Sequence, residues 1–492
     1  MRDRWPRVIA AAALALVVVF PGRATAQAGL GHLDDASVVP AGLLRARVGV
    51  AWTRSDSRFT GFGIEPLGSS LTADSLGSQR FTPLAPLEAL IGTASGAPFM
   101  LSLGASRLDA LAREEILPLS LEFGLTNRVT IGVMVPVVRK RASVQFQLDS
   151  AGANVGPNLH RTSTAAQQNN ITVQTQFASA AQQLRDRLDF CAANPGAAGC
   201  PGLLARASEA QTLLGSSADF ATTAATLFGS ADSQGQAFVP MAQTLAQLAI
   251  AQRVAEFNAQ YRDLLGAGSD LLTAVPTGAA GPAGTVQFQQ YLFSELGRDS
   301  LVMRERVGYG DIEFAVKALV LDRPATADRR FGRQLAVQGG VRLPTGSRQS
   351  MSNLVDLSLG TGALTLDARA FADLSFGRAG LLASAAFHST GADSPVRGDR
   401  RVTAFHIAPR WHLSAPLSVH GAYTRRDGDV SESTQLVGGG VSFMKPDALR
   451  SGGRLPIEMR FTHLEAISGA VGQPKYFRDQ IEVRIYNRLL QR

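Results

Sequence analysis

The sequence predicts an all-β protein: an antiparallel up-and-down transmembrane β-barrel of about 12 strands, with a long α-helical insertion between strands 3 and 4. Three observations predict it. Apolar residues recur at every second position in a dozen segments, the period of a strand whose two faces differ. The links between those segments alternate between tight turns and long loops, as on the two rims of an outer-membrane barrel. The chain also opens on a segment of the kind that directs export.

Composition narrows the alternatives. The chain has 492 residues, of which 45% are hydrophobic and 18% charged. Beyond the N-terminus no apolar run is long enough for a helix to cross a bilayer, which excludes a helical membrane protein. Two cysteines are too few for a disulfide scaffold.

Residues 1–26 read as a signal peptide. Arg2, Arg4 and Arg7 precede the apolar run Val8–Phe20, and Ala24-Thr25-Ala26 forms a small-residue cleavage site. Removal takes away four Arg and one Asp, so the net charge falls from +8 to about +5. That is too weak to suggest nucleic acid as a partner.

Residues 27–147 supply strands 1–3, with a long first loop over about 55–114. Leu44, Ala46, Val48, Val50 and Trp52 alternate with Arg45, Arg47, Gly49 and Thr53. Leu117, Leu119, Leu121 and Phe123 alternate with Ser120 and Glu122. Val129, Ile131, Val133, Val135 and Val137 complete the third strand after a turn at Thr126-Asn127. Residues 307–492 supply strands 4–12. The clearest are Ile312–Ala318, Leu364–Leu374, Ile457–Thr462 and Gln480–Ile485, with others near 331–343, 381–389, 401–412, 417–427 and 434–444. In lipid every strand N–H and C=O must be paired, so such a sheet has to close.

Residues 148–306 do not alternate. They are rich in Ala, Gln, Leu and Thr and show helical spacing near 163–190, 202–228 and 238–265. In the last stretch Ile250, Val254, Phe257, Tyr261 and Leu264 form one apolar stripe. Met241, Leu245 and Leu248 form a second stripe on roughly the other side, which predicts a helix packed between neighbours. Cys191 and Cys200 bracket a Pro-Gly turn, and an exported compartment permits a disulfide there. The insertion leaves from the exterior rim, either as a cap or as a plug.

Val307-Gly308-Tyr309-Gly310-Asp311, Arg342-Leu343-Pro344-Thr345-Gly346 and Gly360-Thr361-Gly362 resemble the G-x-G-D, L-P-T-G and G-T-G motifs of the phenol-degradation meta-pathway family of outer-membrane barrel transporters. The resemblance covers about 300–492 and the strand pair at 115–147. It implies passage of small hydrophobic or aromatic compounds. The helical insertion and the ending Leu489-Leu490-Gln491-Arg492 depart from the family pattern.

The charged strand face would line the lumen. It carries Arg45, Arg47, Glu122, Asp311, Glu313, Lys317, Arg342, Asp367, Arg369, Asp373, Arg410, Glu458, Arg460, Glu482 and Arg484. Two readings stay open: a salt-bridged filling that stiffens the wall, or a polar translocation path. His388, His406, His412 and His420 lack carboxylates or cysteines at ligand spacing, so no metal is expected. Serines lie near these histidines, but none sits in a G-x-S-x-G elbow, so no enzyme is expected. The expected function is facilitated diffusion of small solutes across the bacterial outer membrane, without a cofactor. The alternative is a binding or structural barrel whose insertion meets an external partner. Expected partners are outer-membrane lipid, a small-molecule solute and, during biogenesis, the barrel-assembly machinery.

Overall fold

The computed structural model describes residues 34–297, 303–323, 330–347, 357–391, 401–414, 416–428, 433–444, 457–469, 471 and 473–488. The signal-peptide segment 1–26 and the terminal residues 489–492 lie outside the described residues. By contacts the chain divides into two units, one formed by Ser69–Leu108 and Phe146–Ser300, the other by Leu16–Gly68, Asp109–Gln145 and Leu301–Arg492.

The second unit is a closed barrel of twelve antiparallel strands. In chain order they are β1 (Leu43–Thr60), β2 (Ala105–Thr126), β3 (Val129–Asp149), β4 (Ile312–Arg323), β5 (Phe331–Leu343) and β6 (Thr365–Phe376). Then come β7 (Ala379–Thr390), β8 (Arg401–His412), β9 (Leu417–Gly428), β10 (Thr434–Met444), β11 (Ile457–Ser468) and β12 (Pro474–Arg488). Each pairs with the next. β12 returns to β1, with Val48 opposite Val483 and Leu43 opposite Arg488. Closure leaves no unpaired edge. The β6–β7 turn needs a left-handed residue, and Gly377 supplies it at φ 58°. Two short strands, Gly63–Pro66 and Arg304–Tyr309, are added beside β1 and β3.

Alternation puts unlike residues on the two faces of each strand. Along β11, Ile457, Met459 and Phe461 are exposed while Glu458, Arg460 and Thr462 are buried. Val48 and Trp52 on β1, Leu117, Leu119 and Leu121 on β2, and Phe314 and Val316 on β4 face outward in the same way. A monomer that buries its charges and exposes a continuous apolar belt is inverted relative to a water-soluble protein. This is the surface of a transmembrane barrel of the outer-membrane type.

The first unit is helical. It joins the first long loop to the insertion, two segments that the sequence pattern presents as separate. Its helices are α1 (Ala85–Ser95), α2 (Thr164–Ala193), α3 (Cys200–Ala205), α4 (Ala207–Phe228), α5 (Leu245–Leu265) and α6 (Thr285–Ser294). Ser163 and Thr244 cap α2 and α5 by accepting from Ala166 N–H and Gln247 N–H. Phe177, Phe220 and Phe257 meet with ring centroids 5.3–5.8 Å apart, an aromatic centre for α2, α4 and α5. Beside it the Tyr261 hydroxyl lies 2.6 Å from Ser217 Oγ.

α5 buries Ile250, Val254, Phe257, Tyr261 and Leu264, but Leu245 and Leu248 are exposed. The second stripe is therefore not packed, because α5 has neighbours on one side of its axis. The first loop is held by Arg253, which donates to Thr93 O at 2.8 Å, and by Phe81 against Phe288 at 5.5 Å. Burial pushes the Tyr291 phenol up to about 12. Cys191 and Cys200 are disulfide-bonded across the turn between α2 and α3. Reduction is expected to cost this unit about 2 kcal/mol, because the closed loop is short. A lowered helical melting temperature, with the barrel transition unchanged, is the expected calorimetric result.

Candidate functional site

The inward faces of β1, β2, β4, β11 and β12 converge on the segment that precedes β1. Its backbone is pinned by Val39 N–H donating to Thr130 Oγ1 at 2.8 Å, and by Ala41 N–H donating to Asn127 Oδ1 at 3.1 Å. Ala36 packs against Leu319, Ala336 and Phe371, all buried positions of the inner wall. The segment thus occupies the lumen.

Its two carboxylates are the centre of an ion network. Asp34 lies 3.1 Å from Arg47, 3.3 Å from Lys317 and 3.5 Å from Arg484. Asp35 lies 3.2 Å from Arg484 and 3.7 Å from Arg460. Lys317 also donates to the Asp35 carbonyl and sits over the Phe371 ring. Around this centre Glu122 pairs with Arg45 and with Arg47, the latter at 2.9 Å. Glu458 pairs with Arg460 at 3.0 Å, and Glu482 pairs with Arg484 at 2.5 Å. Arg45, Arg47, Lys317, Glu122, Glu458, Arg460 and Arg484 are all buried. Side chains with this much charge stay buried only when paired, and the pairing ties β1, β4, β11 and β12 to one lumenal peptide.

A second cluster joins β4, β5, β6 and β7. Glu313 lies 3.3 Å from Arg342 and 3.6 Å from Arg369. Asp367 accepts from Arg369 at 2.8 Å and lies 2.7 Å from His388 Nδ1. Asp373 and Arg410 form a looser pair at 3.6 Å.

Asp311 differs from the rest of the set. The sequence places it with the lumen-lining charges, but its carboxylate is fully buried and accepts from Gly346 N–H at 2.9 Å. It also accepts from Thr361 N–H at 2.7 Å and Thr361 Oγ1 at 2.8 Å. Thr345 Oγ1 donates to Gly310 O at 3.0 Å. The three short motifs are therefore one knot. A Cβ on Gly360 would overlap Asp311 Oδ1, so glycine is required there. Asp311 closes the loop after β5 rather than lining a path.

Apolar side chains occupy other parts of the inner wall. Phe59, beyond a bulge in β1, packs against Ala422, Leu436, Leu464 and Ala466, with Tyr476 beside them. Leu359, carried by the knotted loop, packs against Ile116 and Val138. Met134 and Ala315 form a third contact. Two buried histidines also lie on the inward face. His406 Nδ1 lies 2.9 Å from Thr424 Oγ1, and His420 Nε2 lies 3.3 Å from Thr462 Oγ1. The buried His406 Nε2 has no protein partner among the described residues. No group of ligating residues fit for a metal occurs among the described residues. Tyr486 also faces inward and lies under Arg45.

No protein-family model matches the sequence, and no curated protein matches it. The fold is similar to an outer membrane channel from Pseudomonas putida F1, at 9% identity and a TM-score of 0.37, over 93% of this chain and 100% of that one. It is similar to the Pseudomonas putida toluene transporter TodX at 10% identity and a TM-score of 0.26, over 92% and 90% of the two chains. The translocator domain of the autotransporter NalP from Neisseria meningitidis matches at 7% identity and a TM-score of 0.27, over 97% of each chain. At such distance these are likenesses of form, and function has to be read from the barrel's own residues.

Proposed function

We propose that the chain is an outer-membrane transporter that passes small hydrophobic or aromatic compounds by facilitated diffusion. The observation that supports this most is the lumen itself. It is a closed barrel interior that carries both apolar clusters and paired charges, with the segment at Asp34–Val39 and Leu359 of the knotted loop packed against its wall. The inner wall offers a small aromatic solute apolar contact at Phe59 and a polar partner at the buried His406 Nε2. The glycine motifs that resemble the phenol-degradation meta-pathway transporters agree with this solute class.

Proteoliposomes loaded with purified barrel should take up a small neutral aromatic, such as benzyl alcohol, faster than protein-free vesicles. Equal uptake would reject transport. Phe59→Ala is expected to slow that uptake about tenfold, since burying an aromatic solute against Phe59 is worth about 1–2 kcal/mol. Uptake of a small sugar through the same vesicles should not change.

A further inference from the structure

The geometry points to a binding site for the phosphate of a membrane-lipid headgroup on the outer wall of the barrel, made by Arg54 and Arg113. The proposal rests on the reading of the chain as a membrane barrel.

The two arginines stand directly opposite each other in the β1–β2 ladder. Their side chains point away from the lumen, because Arg54 continues the outward row of Val48, Val50 and Trp52, and Arg113 that of Leu117 and Leu119. Like charges directly opposite across strands repel. A neighbouring outward arginine does meet carboxylates. Arg139 on β3, in the same band, has Glu305 at 2.9 Å and Glu115 at 3.5 Å. Among the described residues the one carboxylate in ion-pair reach of Arg54 is Asp56, at 3.7 Å and more than half exposed. Among the described residues no carboxylate lies within ion-pair reach of Arg113.

Their height fits a headgroup. The outward row of β1 is apolar from Leu44 to Trp52, which spans roughly 27 Å of strand and about 20 Å of bilayer at the usual tilt. Trp52 is exposed at the upper end of that row, where interfacial aromatics sit. Arg54 is the next outward residue, about 5 Å higher. On β2 the apolar row ends at Leu117, and Glu115 and Arg113 follow. An anion held between the two guanidinium groups would relieve their repulsion and accept from both. At this level, flanked by Trp52 below, the anion at hand is a lipid phosphate.

The test uses the full chain in detergent, with lipid A as probe and bound lipid counted by native mass spectrometry. The wild type is expected to retain lipid A and to retain its dephosphorylated form at least tenfold less. Equal retention of the two forms would overturn the proposal without any variant. R54Q with R113Q is expected to lower lipid A retention at least tenfold, and R54K with R113K to restore most of it. Heat-modifiable gel migration reports whether each variant is folded. Wild-type retention by the folded glutamine variant would overturn the site. Displacement of lipid A by millimolar inorganic phosphate would also overturn it, in favour of a free-anion site. A failure of solute transport would leave each of these results unaffected.

Discussion

Exchanging both carboxylates of the lumenal segment for amides, Asp34→Asn with Asp35→Asn, is expected to raise the mean conductance per channel in a planar bilayer at least tenfold, through a larger open fraction. The amides keep the shape of the segment and remove its charge. Arg47, Lys317 and Arg484 then face a neutral amide dipole where the Asp34 carboxylate stood, and Arg460 and Arg484 lose the charge of Asp35. These cations are buried and cannot be rehydrated while the peptide stays in place. Arg47, Arg460 and Arg484 keep Glu122, Glu458 and Glu482, so the charge left without a carboxylate among the described residues is that of Lys317, and removing the partner of a buried charge costs about 3–5 kcal/mol. That cost falls on the closed arrangement, since water reaches the same cations once the segment leaves. If only about 1.4 kcal/mol of it separates closed from open, the equilibrium moves tenfold. Asp427→Asn removes a partly exposed partner of Arg425 and should leave conductance unchanged. Wild-type conductance in the double variant would show that the ion network does not hold the segment in place.

This network is half legible in the sequence. Period-two alternation assigns Arg45, Arg47, Lys317, Arg460 and Arg484 to one face, and the structure buries all five. What periodicity cannot show is which charges meet, because that depends on closure. Asp34 reaches Lys317 and Arg484 across sequence separations of 283 and 450. Asp34 and Asp35 lie in a short stretch with no strand or helix period, so no pattern singles them out. A signal is present nonetheless. Cations crowd the inward positions of β1 and β12, and two adjacent carboxylates stand a few residues before β1. The histidines read as isolated lumen residues, which fits the Thr424 and Thr462 contacts of His406 and His420. The helical unit is only partly legible for a similar reason. α1 and α6 are short, and their burial comes from segments far away in sequence, Phe81 on Phe288 among them. Local period reports a face, and only the fold reports what covers it.

The motif residues are legible as motifs, and the structure gives them a shared chemical reason that Asp311→Ala should expose. The carboxylate of Asp311 receives hydrogen bonds from Gly346 N–H, Thr361 N–H and Thr361 Oγ1, two of them from the backbone. Hydrogen bonds to a charged acceptor are worth about 1.5–3 kcal/mol each. Removal also leaves Gly346 N–H and Thr361 N–H without an acceptor in a buried place. A loss of about 4 kcal/mol is expected, allowing for partial relaxation of the loop. Asp311→Asn should be nearly as damaging despite its matching shape. One side-chain oxygen becomes an NH2 group, and whichever way the amide turns, it faces a donor rather than offering an acceptor. The loop carries Leu359 onto Ile116 and Val138, so its release also uncovers an apolar part of the inner wall. Limited proteolysis within 344–363 and the temperature of heat-modifiable unfolding measure the two effects separately. In Asp311→Ala the loop should be cleaved at least tenfold faster while the far strands β8–β11 keep their protection in hydrogen exchange. A loop as resistant as wild type would mean that the glycine contacts of Gly346 and Gly360, rather than the carboxylate, hold the knot.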